Sequence, residues 1–327
     1  MRTIRIGFIG TNFISDQMAC TLRSIPYYTM QAVYSRTEER AMAFAEEYGF
    51  PLRYTNLEDF FSCPDLDAVY IASPNSCHVE QTIDALNHGL HVICEKPLAP
   101  NTKQLKQVFD TAKKNNRVVI EAMRPAYDEA FFAIKETLPL LGKIRRVSFE
   151  FCQYSSRYDS FKAGEIKNAF NPLLSNAAIM DIGVYPIHCC VMLFGEPQSI
   201  LSNSVFLENG MEGQGSLILK YPSMTAEISY SKITSSVVPS FILGENGAIT
   251  IDKLSNPSKI WLLPRKEAPI LLTQCETSNM KYEALSFYNM IHGRESTETY
   301  NKNTEITTKI MDTVRKQTNI VFPSDKL

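Results

Sequence analysis

The sequence lacks a basic tract and an excess of positive charge. Its 327 residues include 33 Lys and Arg against 35 Asp and Glu, which gives a formal net charge of −2. Proteins that bind nucleic acid or an anionic membrane surface usually present a patch of Lys and Arg side chains. We therefore expect neither of these partners.

Long apolar runs and metal-binding spacings are also scarce. No run approaches the roughly 20 residues of a transmembrane helix, and the chain enters the strand-like segment IRIGFIG (4–10) without a charged leader or cleavage site. We expect no membrane span, no secretory signal and a cytoplasmic location. The eight cysteines contain no C-x-x-C pair, which favours reduced thiols. His188, Cys189 and Cys190 are adjacent, and adjacent side chains rarely converge on one ion, so no metal site is expected.

Short apolar segments alternate with helical patterns over the first 122 residues. The helical patterns include 37–49, which ends at Gly49, and 76–89, which begins with Ser76 as N-cap and ends at Gly89. The strand candidates show little polar alternation, as expected for strands buried on both faces, and lie at 4–9, 30–35, 67–72, 91–94 and 118–122. This alternation predicts an α/β fold with a doubly wound, Rossmann-type parallel sheet.

The pattern changes after Arg124. Helices are predicted at 126–139, over one stretch at 173–194, and twice more near the end of the chain. Strand patterns with hairpin-like turns lie at 142–156, 212–220, 224–231, 236–243, 247–251 and 259–263. We therefore predict two domains, residues 1–122 and residues 123–327, the second being an α+β domain with a large, mostly antiparallel open sheet.

The turn after the first predicted strand carries an incomplete dinucleotide-binding fingerprint. The pattern G-x-G-x-x-G falls on Gly10, Asn12 and Ser15, so one glycine of three is present. Asn tolerates a positive φ better than most residues, its amide is able to donate to a phosphate oxygen, and Ser is small. The N–H groups of a helix start bind anions whatever the side chains. We predict dinucleotide contacts from Gly10, Thr11, Asn12, Phe13 and Ile14; the alternative is a turn that binds no ligand.

The end of the second predicted strand indicates which dinucleotide binds. An NAD site places Asp or Glu here to bind the ribose 2′-hydroxyl, whereas this chain has Ser35 and Arg36. A hydroxyl and a guanidinium suit the 2′-phosphate, which a carboxylate would repel. We predict NADP, with NAD as the second candidate. The alternative for Arg36 is a solvated surface side chain.

Four motifs follow one another along the chain: ASPNSCH (72–78), CEKPLA (94–99), EAMRPAY (121–127) and MDIGVYPIH (180–188). With them the chain resembles the Gfo/Idh/MocA family of NAD(P)-dependent oxidoreductases, from Ile4 to about Gly195. The E-K-P triplet with D-x-G-x-Y is a fairly specific pair. Because its last residue is tyrosine, the D-x-G-x-Y motif resembles that of the branch with dimeric dihydrodiol dehydrogenase and the xylose dehydrogenases. In that branch tyrosine replaces the catalytic histidine.

The resemblance implies roles for individual residues. Lys96 would project toward the nicotinamide and the substrate, with Glu95 and Pro97 shaping its turn. Asp181 and Tyr185 would enter the same pocket from the second domain. The residues expected to line the cofactor cleft are Ser73, Pro74, Asn75, His78, Glu95 and Lys96.

The chemistry independently requires these residue types. Moving hydride to or from a carbinol carbon requires a proton to leave or join the substrate oxygen. A tyrosine has a pKa of about 10, and an ammonium ~4 Å away at an effective dielectric of ~20 favours its phenolate by ~4 kcal/mol, or about three pKa units. Asp181 lies four residues before Tyr185, which places both on one helical face, where Asp181 would orient Tyr185 or Lys96.

Each residue has a simpler alternative. Lys96 would be a solvated lysine, Tyr185 a core aromatic, and His78 a helix-cap or packing residue. His188 is the second candidate for the acid/base role.

We expect an NADP(H)-dependent oxidoreductase of a sugar, polyol or related alcohol or carbonyl compound. The alternative, since some relatives bind the dinucleotide without turning over a substrate, is a regulatory or non-catalytic protein. The open sheet leaves apolar residues on one face, and the resemblance implies dimers or tetramers, so we expect a homo-oligomer, with a dimer favoured.

Overall fold

The computed structural model describes residues 3–274 and 278–326. The chain forms two compact units, Met1–Ala122 with Met280–Asn301, and Met123–Asn279 with Lys302–Leu327. The division predicted from the sequence, 1–122 and 123–327, stays a proposal about domains. The predicted and observed divisions differ in residues 280–301: the prediction assigns them to the second domain, and they belong to the first compact unit.

The first unit alternates strands and helices. Its elements up to residue 122 are β1 (Ile4–Ile9), α1 (Phe13–Arg23), β2 (Tyr28–Tyr34), α2 (Glu38–Tyr48), β3 (Leu52–Tyr54), α3 (Leu57–Phe61), β4 (Ala68–Ile71), α4 (His78–Asn87), β5 (His91–Glu95), α5 (Thr102–Lys114) and β6 (Val119–Ala122). The strands form one parallel sheet in the order β3-β2-β1-β4-β5-β6. This confirms the predicted doubly wound sheet. The order reverses between β1 and β4, and ligands of such sheets bind at the carboxyl ends of the strands at this point.

The second unit is built around an eight-stranded sheet. The elements from residue 123 onward are α6 (Arg124–Tyr127), α7 (Glu129–Thr137), β7 (Ile144–Cys152), α8 (Tyr158–Lys162), α9 (Val184–Phe194), β8 (Ser199–Phe206), β9 (Glu212–Lys220), β10 (Thr225–Ser231), β11 (Ser240–Gly244), β12 (Gly247–Ile251), β13 (Lys259–Pro264), β14 (Ile270–Gln274), α10 (Met280–Ile291) and α11 (Glu298–Thr318). Of these, α10 belongs to the first unit. The sheet order is β14-β13-β12-β11-β7-β10-β9-β8, with β7 and β10 parallel and the other pairs antiparallel. The predicted mostly antiparallel sheet is confirmed.

Three strands did not appear in the sequence prediction: β3, β8 and β14. All three are edge strands of their sheets. Of these, β3 has only three residues and β14 only five, and most of the side chains of β3 and β8 are exposed or half-exposed, which leaves little pattern for prediction.

Two predicted helices are interrupted. The stretch 126–139 divides at Asp128, whose carboxylate caps α7 by accepting the N–H of Ala130 at 2.9 Å. The stretch 173–194 divides at Ser175, which has a left-handed φ of 59°. A π-helical turn (Ile179–Gly183) then leads into α9.

The expectation that no apolar run approaches a membrane span was too strict. The stretch Pro172–Phe194 has the length and composition of a spanning helix, and an 18-residue window in it has a mean hydropathy of 1.7. However, 72% of that window is buried inside the protein, as in the core helix of a globular fold.

Candidate active site

Gly10 makes the tight turn between β1 and α1. Its φ is +109°, and a Cβ on it would lie 2.6 Å from the carbonyl oxygen of Ala72, which follows β4. A side chain is therefore excluded both by the backbone conformation and by space. The close approach joins the ends of the two strands between which the sheet order reverses.

Asn12 caps helix α1 and does not have the positive φ that sequence reasoning considered, while its contact with the dinucleotide stays a prediction. Its backbone is extended, with φ −114° and ψ 176°, so tolerance of a positive φ does not explain why asparagine stands here. Its Oδ1 caps α1 by accepting the N–H groups of Ile14 at 2.9 Å and Ser15 at 3.4 Å, and its Nδ2 donates to the Ala72 carbonyl at 2.6 Å. The side chain thus takes up two of the N–H groups that were expected to be free for an anion, and ties α1 to the end of β4.

The other predicted residues of this turn lie around it. Phe13 is 68% exposed, and Thr11 Oγ1 lies 3.5 Å from Ser35 Oγ, which links the turn to the end of β2. Ser15 is fully buried, and its hydroxyl has no hydrogen-bond partner among the described residues.

A cavity of about 420 Å³ lies at the end of β2, lined by Ser35, Arg36, Thr37 and Arg40. Neither guanidinium forms an ion pair within residues 3–274 and 278–326. The nearby Glu38 instead accepts a hydrogen bond from Arg53 Nε at 2.6 Å. Two cations and two hydroxyls around one cavity suit a phosphate group, so the site fits NADP. Sequence reasoning missed Arg40, which lies in the first turn of α2, whereas Arg36 precedes the N-cap Thr37 of that helix.

The segment after β4 is fixed by His78. Its Nε2 lies 2.9 Å from the carbonyl oxygen of Ser73 and its Nδ1 lies 2.9 Å from that of Pro97. The ring is buried, and this burial lowers its pKa. Both ring nitrogens therefore face carbonyls, which fits the packing alternative better than cofactor contact. Ser73 Oγ donates to Gln81 at 2.6 Å, and Pro74 and Asn75 lie at the adjoining short helical turn.

The turn that carries Lys96 is held by two buried carboxylates. Glu95 accepts a hydrogen bond from the hydroxyl of Tyr70 at 2.7 Å, and Glu121 accepts one from the N–H of Leu98 at 2.9 Å. The Lys96–Pro97 peptide is cis. Lys96 is thus placed by a turn whose flanks are fixed on both sides. Tyr70 and Glu121 were not among the predicted residues, because their role depends on neighbouring strands.

In the second unit, Asp181 lies in the π-helical turn, and Tyr185 lies in the first turn of α9. A Cβ on Gly183 would lie 2.9 Å from Cγ of Tyr230, so this glycine lets the turn lie directly on β10. Glu212, at the start of β9, accepts the N–H of Ile179 at 2.8 Å and the hydroxyl of Tyr230 at 2.7 Å. Its burial raises its pKa. This network fixes the helical turn against the sheet.

Asp181 forms an ion pair with a lysine that sequence reasoning missed. Its Oδ2 lies 2.8 Å from Nζ of Lys232, whose side chain is 3% exposed. Tyr185 is buried at 5% exposure, with its ring centroid 5.6 Å from that of Phe151. Asp181 and Lys232 are 51 positions apart in the sequence, so no local sequence pattern predicts their ion pair.

His188, the second acid/base candidate, is fully enclosed. Its Nδ1 lies 3.3 Å from Oγ1 of Thr307, and its Nε2 has no partner among the described residues. Burial lowers its pKa to about 3, so the ring stays neutral. Seven of the cysteines are free thiols, and Cys275 lies outside the described residues. Within those residues no group of three or more His, Cys, Asp or Glu side chains is placed to hold a metal ion.

Comparison with known proteins agrees with this architecture. Residues 4–123 match the oxidoreductase family with an NAD-binding Rossmann fold, and residues 140–250 match the GFO/IDH/MocA C-terminal domain. The chain is 40% identical over 327 residues to scyllo-inositol 2-dehydrogenase (NADP(+)) IolU of Bacillus subtilis, with 99% of each chain covered. It is 26% identical over 339 residues to trans-1,2-dihydrobenzene-1,2-diol dehydrogenase of Mus musculus, again with 99% of each covered.

A solved structure shows the same fold. KijD10, a 3-ketoreductase from Actinomadura kijaniata in complex with NADP and TDP-benzene, superposes with a TM-score of 0.87 at 20% identity, over 97% of this chain and 98% of that one. The two matched domains and the full-length relative lead to one conclusion: the chain belongs to the Gfo/Idh/MocA family of oxidoreductases.

Proposed function

We propose that the protein is an NADP(H)-dependent oxidoreductase that moves hydride between the nicotinamide and a carbon of a sugar, polyol or related alcohol or carbonyl compound. The observation that carries the proposal is the cavity at the end of β2, where Arg36 and Arg40 offer two guanidinium groups to one phosphate. The relative at 40% identity is named as a scyllo-inositol 2-dehydrogenase (NADP(+)), and this name supports the assignment.

In this proposal, separate residues bind the cofactor and transfer the proton. The turn at Gly10 and the start of α1 would hold the pyrophosphate, and Arg36 and Arg40 the 2′-phosphate. A dinucleotide held by these residues would supply a hydride acceptor for oxidation, as NADP, and a hydride donor for reduction, as NADPH. Tyr185 takes the proton of the substrate hydroxyl during oxidation and returns it during reduction. As the family resemblance implies, the Lys96 ammonium would favour the phenolate of Tyr185, and Asp181 would orient the tyrosine or the lysine.

The test is NADP⁺ reduction by the purified protein over a panel of inositols, aldoses and vicinal diols. We expect turnover with at least one inositol or aldose. Tyr185→Phe should lower kcat by about 100-fold or more, because it removes the proton acceptor, while NADPH affinity stays within about twofold of the parent. Tyr300→Phe is the matched control, since its hydroxyl bonds Glu295 outside the proposed machinery, and it should retain turnover. Tight NADPH binding without turnover of any panel member would support the non-catalytic alternative.

We also propose a homo-oligomer, most simply a dimer, formed through the open face of the eight-stranded sheet. One cross-strand row runs over all eight strands on this face: Leu271, Trp261, Thr250, Phe241, Ser148, Glu227, Ile218 and Leu201. Its aliphatic members at one end, Leu201 and Ile218, are 68% and 45% exposed. Apolar side chains in such a row favour a protein partner over water.

The free cysteines support a reducing compartment, and we propose the cytoplasm.

A further inference from the structure

We propose that Lys232 is a positioning residue of this enzyme: it fixes the carboxylate of Asp181 and couples it to the segment Asn168–Phe170. The inference rests on the proposed function, in which Asp181 and Tyr185 act at the substrate.

Three groups surround the Lys232 ammonium. Its Nζ lies 2.8 Å from Oδ2 of Asp181, donates to the carbonyl oxygen of Ala169 at 2.7 Å, and lies 4.9 Å from the ring centroid of Phe170. The side chain is 3% exposed, whereas Lys309, which is ion-paired with Glu196 in the same unit, is 65% exposed. Lys232 is therefore a buried cation with a carboxylate, a carbonyl and an aromatic face as its partners.

Stability alone gives no reason for such a pair. The Asp181 side chain is 35% exposed, whereas the Lys232 ammonium must offset the loss of nearly all its hydration, and apolar residues of similar volume often stabilise a fold as well as or better than a buried charge. A pair of this kind therefore calls for another role. The position of Asp181 in the D-x-G-x-Y motif, four residues before Tyr185, indicates what that role is.

Both ends of the pair are rigidly held. The backbone N–H of Lys232 donates to the carbonyl of Gly213 at 2.9 Å, and its carbonyl accepts the N–H of Ser155 at 2.9 Å. At the other end, the turn that carries Asp181 lies on Tyr230 through Gly183. Because both backbones are packed against the sheet, the ion pair joins two fixed segments, and the ammonium restricts the directions in which the Asp181 carboxylate points.

The same ammonium reaches a segment of irregular structure. The ring of Phe170 is fully buried and lies 5.6 Å from the ring of Tyr158 and 5.7 Å from that of Phe161. The loop that contains Asn168–Phe170 is thus anchored by an aromatic cluster on one side and by Lys232 on the other. Asp181 and this loop share one cation, which sets their relative positions.

The experiment measures kcat, KM and NADPH affinity for Lys232→Met, Lys232→Arg, Asp181→Asn and the double variant Asp181→Asn/Lys232→Met. Lys232→Met should lower kcat by about ten- to a hundredfold, as expected when a reacting site is misplaced by a fraction of an ångström to 1 Å. NADPH affinity should stay within about twofold of the parent, because the proposed cofactor contacts lie in the first unit. Lys232→Arg should recover part of kcat, since it keeps the charge and the donors. Lys309→Met, the control, should match the parent.

The double variant decides whether Lys232 acts through Asp181. In the Asp181→Asn background, Lys232→Met should lower kcat by less than about threefold, since no carboxylate is left to position. An equal loss in both backgrounds, or a Lys232→Met variant with parental kcat, overturns the proposal. If Lys232→Met unfolds because the Asp181 carboxylate loses this cation, the double variant, which removes both charges of the pair, still gives the comparison with Asp181→Asn. A parent without turnover contradicts the proposed function instead, so the two failures are distinct.

Discussion

At the scale of single residues, our proposal assigns cofactor choice to two guanidinium groups that line one cavity. We predict that Arg36→Ala and Arg40→Ala each weaken NADPH binding by roughly ten- to a hundredfold, since each removes a charge-assisted contact worth about 1.5 to 3 kcal/mol. NADH lacks the 2′-phosphate, so its affinity should change by less than about twofold. Titration of both cofactors into each variant gives the four dissociation constants.

Arg23→Ala is the matched control for these two variants. Arg23 is an exposed arginine of the same unit, at the end of α1, and contacts only the carbonyl of Glu47 among the described residues. Its removal should leave both cofactor affinities unchanged. Equal losses for NADPH and NADH at Arg36→Ala or Arg40→Ala would show that the arginine does not bind the phosphate.

At the scale of elements, the start of α1 depends on one side chain that serves both the helix and the sheet. Asn12→Ala removes the N-cap and the bond to the Ala72 carbonyl, and we predict a loss of about 2 kcal/mol in the free energy of unfolding. Asn56→Ala removes a cap of α3 that accepts only the N–H of Asp59, so it should cost about 1 kcal/mol. Urea denaturation of the two variants measures the difference, which we assign to the link with Ala72. Equal losses would mean that this link contributes nothing.

The same geometry changes the expectation for Asn12→Gly. A glycine costs little as an N-cap, only a few tenths of a kcal/mol, but it also removes the donor to Ala72. The variant should therefore still bind NADPH within a few-fold of the parent, for a reason unrelated to positive φ. Its effect should be on the stability of the turn.

At the scale of the whole molecule, the open sheet face predicts self-association. We expect a dimer by light scattering at micromolar concentration. Ile218→Asp should shift the mass to that of the monomer, because it places a charge in the apolar part of the cross-strand row. Leu140→Asp changes a residue that is 64% exposed outside the sheet, and it should leave the mass unchanged. A monomeric parent, or an Ile218→Asp variant that remains dimeric, would contradict an interface on this face.

The sequence by itself determined the architecture and the family. Buried parallel strands are continuous apolar runs and helices between them are amphipathic, so five of the six strands between residue 4 and residue 122 were readable. The short motifs around Lys96 and Tyr185 pointed to the Gfo/Idh/MocA family because such motifs keep their spacing along the chain. Edge strands such as β3 and β8 were not predicted, because a half-exposed strand needs fewer apolar side chains.

Only the tertiary structure decided how the motif residues are supported. Asn12 is a helix cap tied to Ala72, Arg40 faces the cavity of Arg36, and Asp181 is paired with Lys232. Two of these relations join residues more than 50 positions apart, and they depend on which strands become neighbours. Local propensity reports on neighbours along the chain, whereas ion pairs and close approaches report on neighbours in space. The residues that we propose to react were therefore visible in the sequence, but the groups that hold them in place were not.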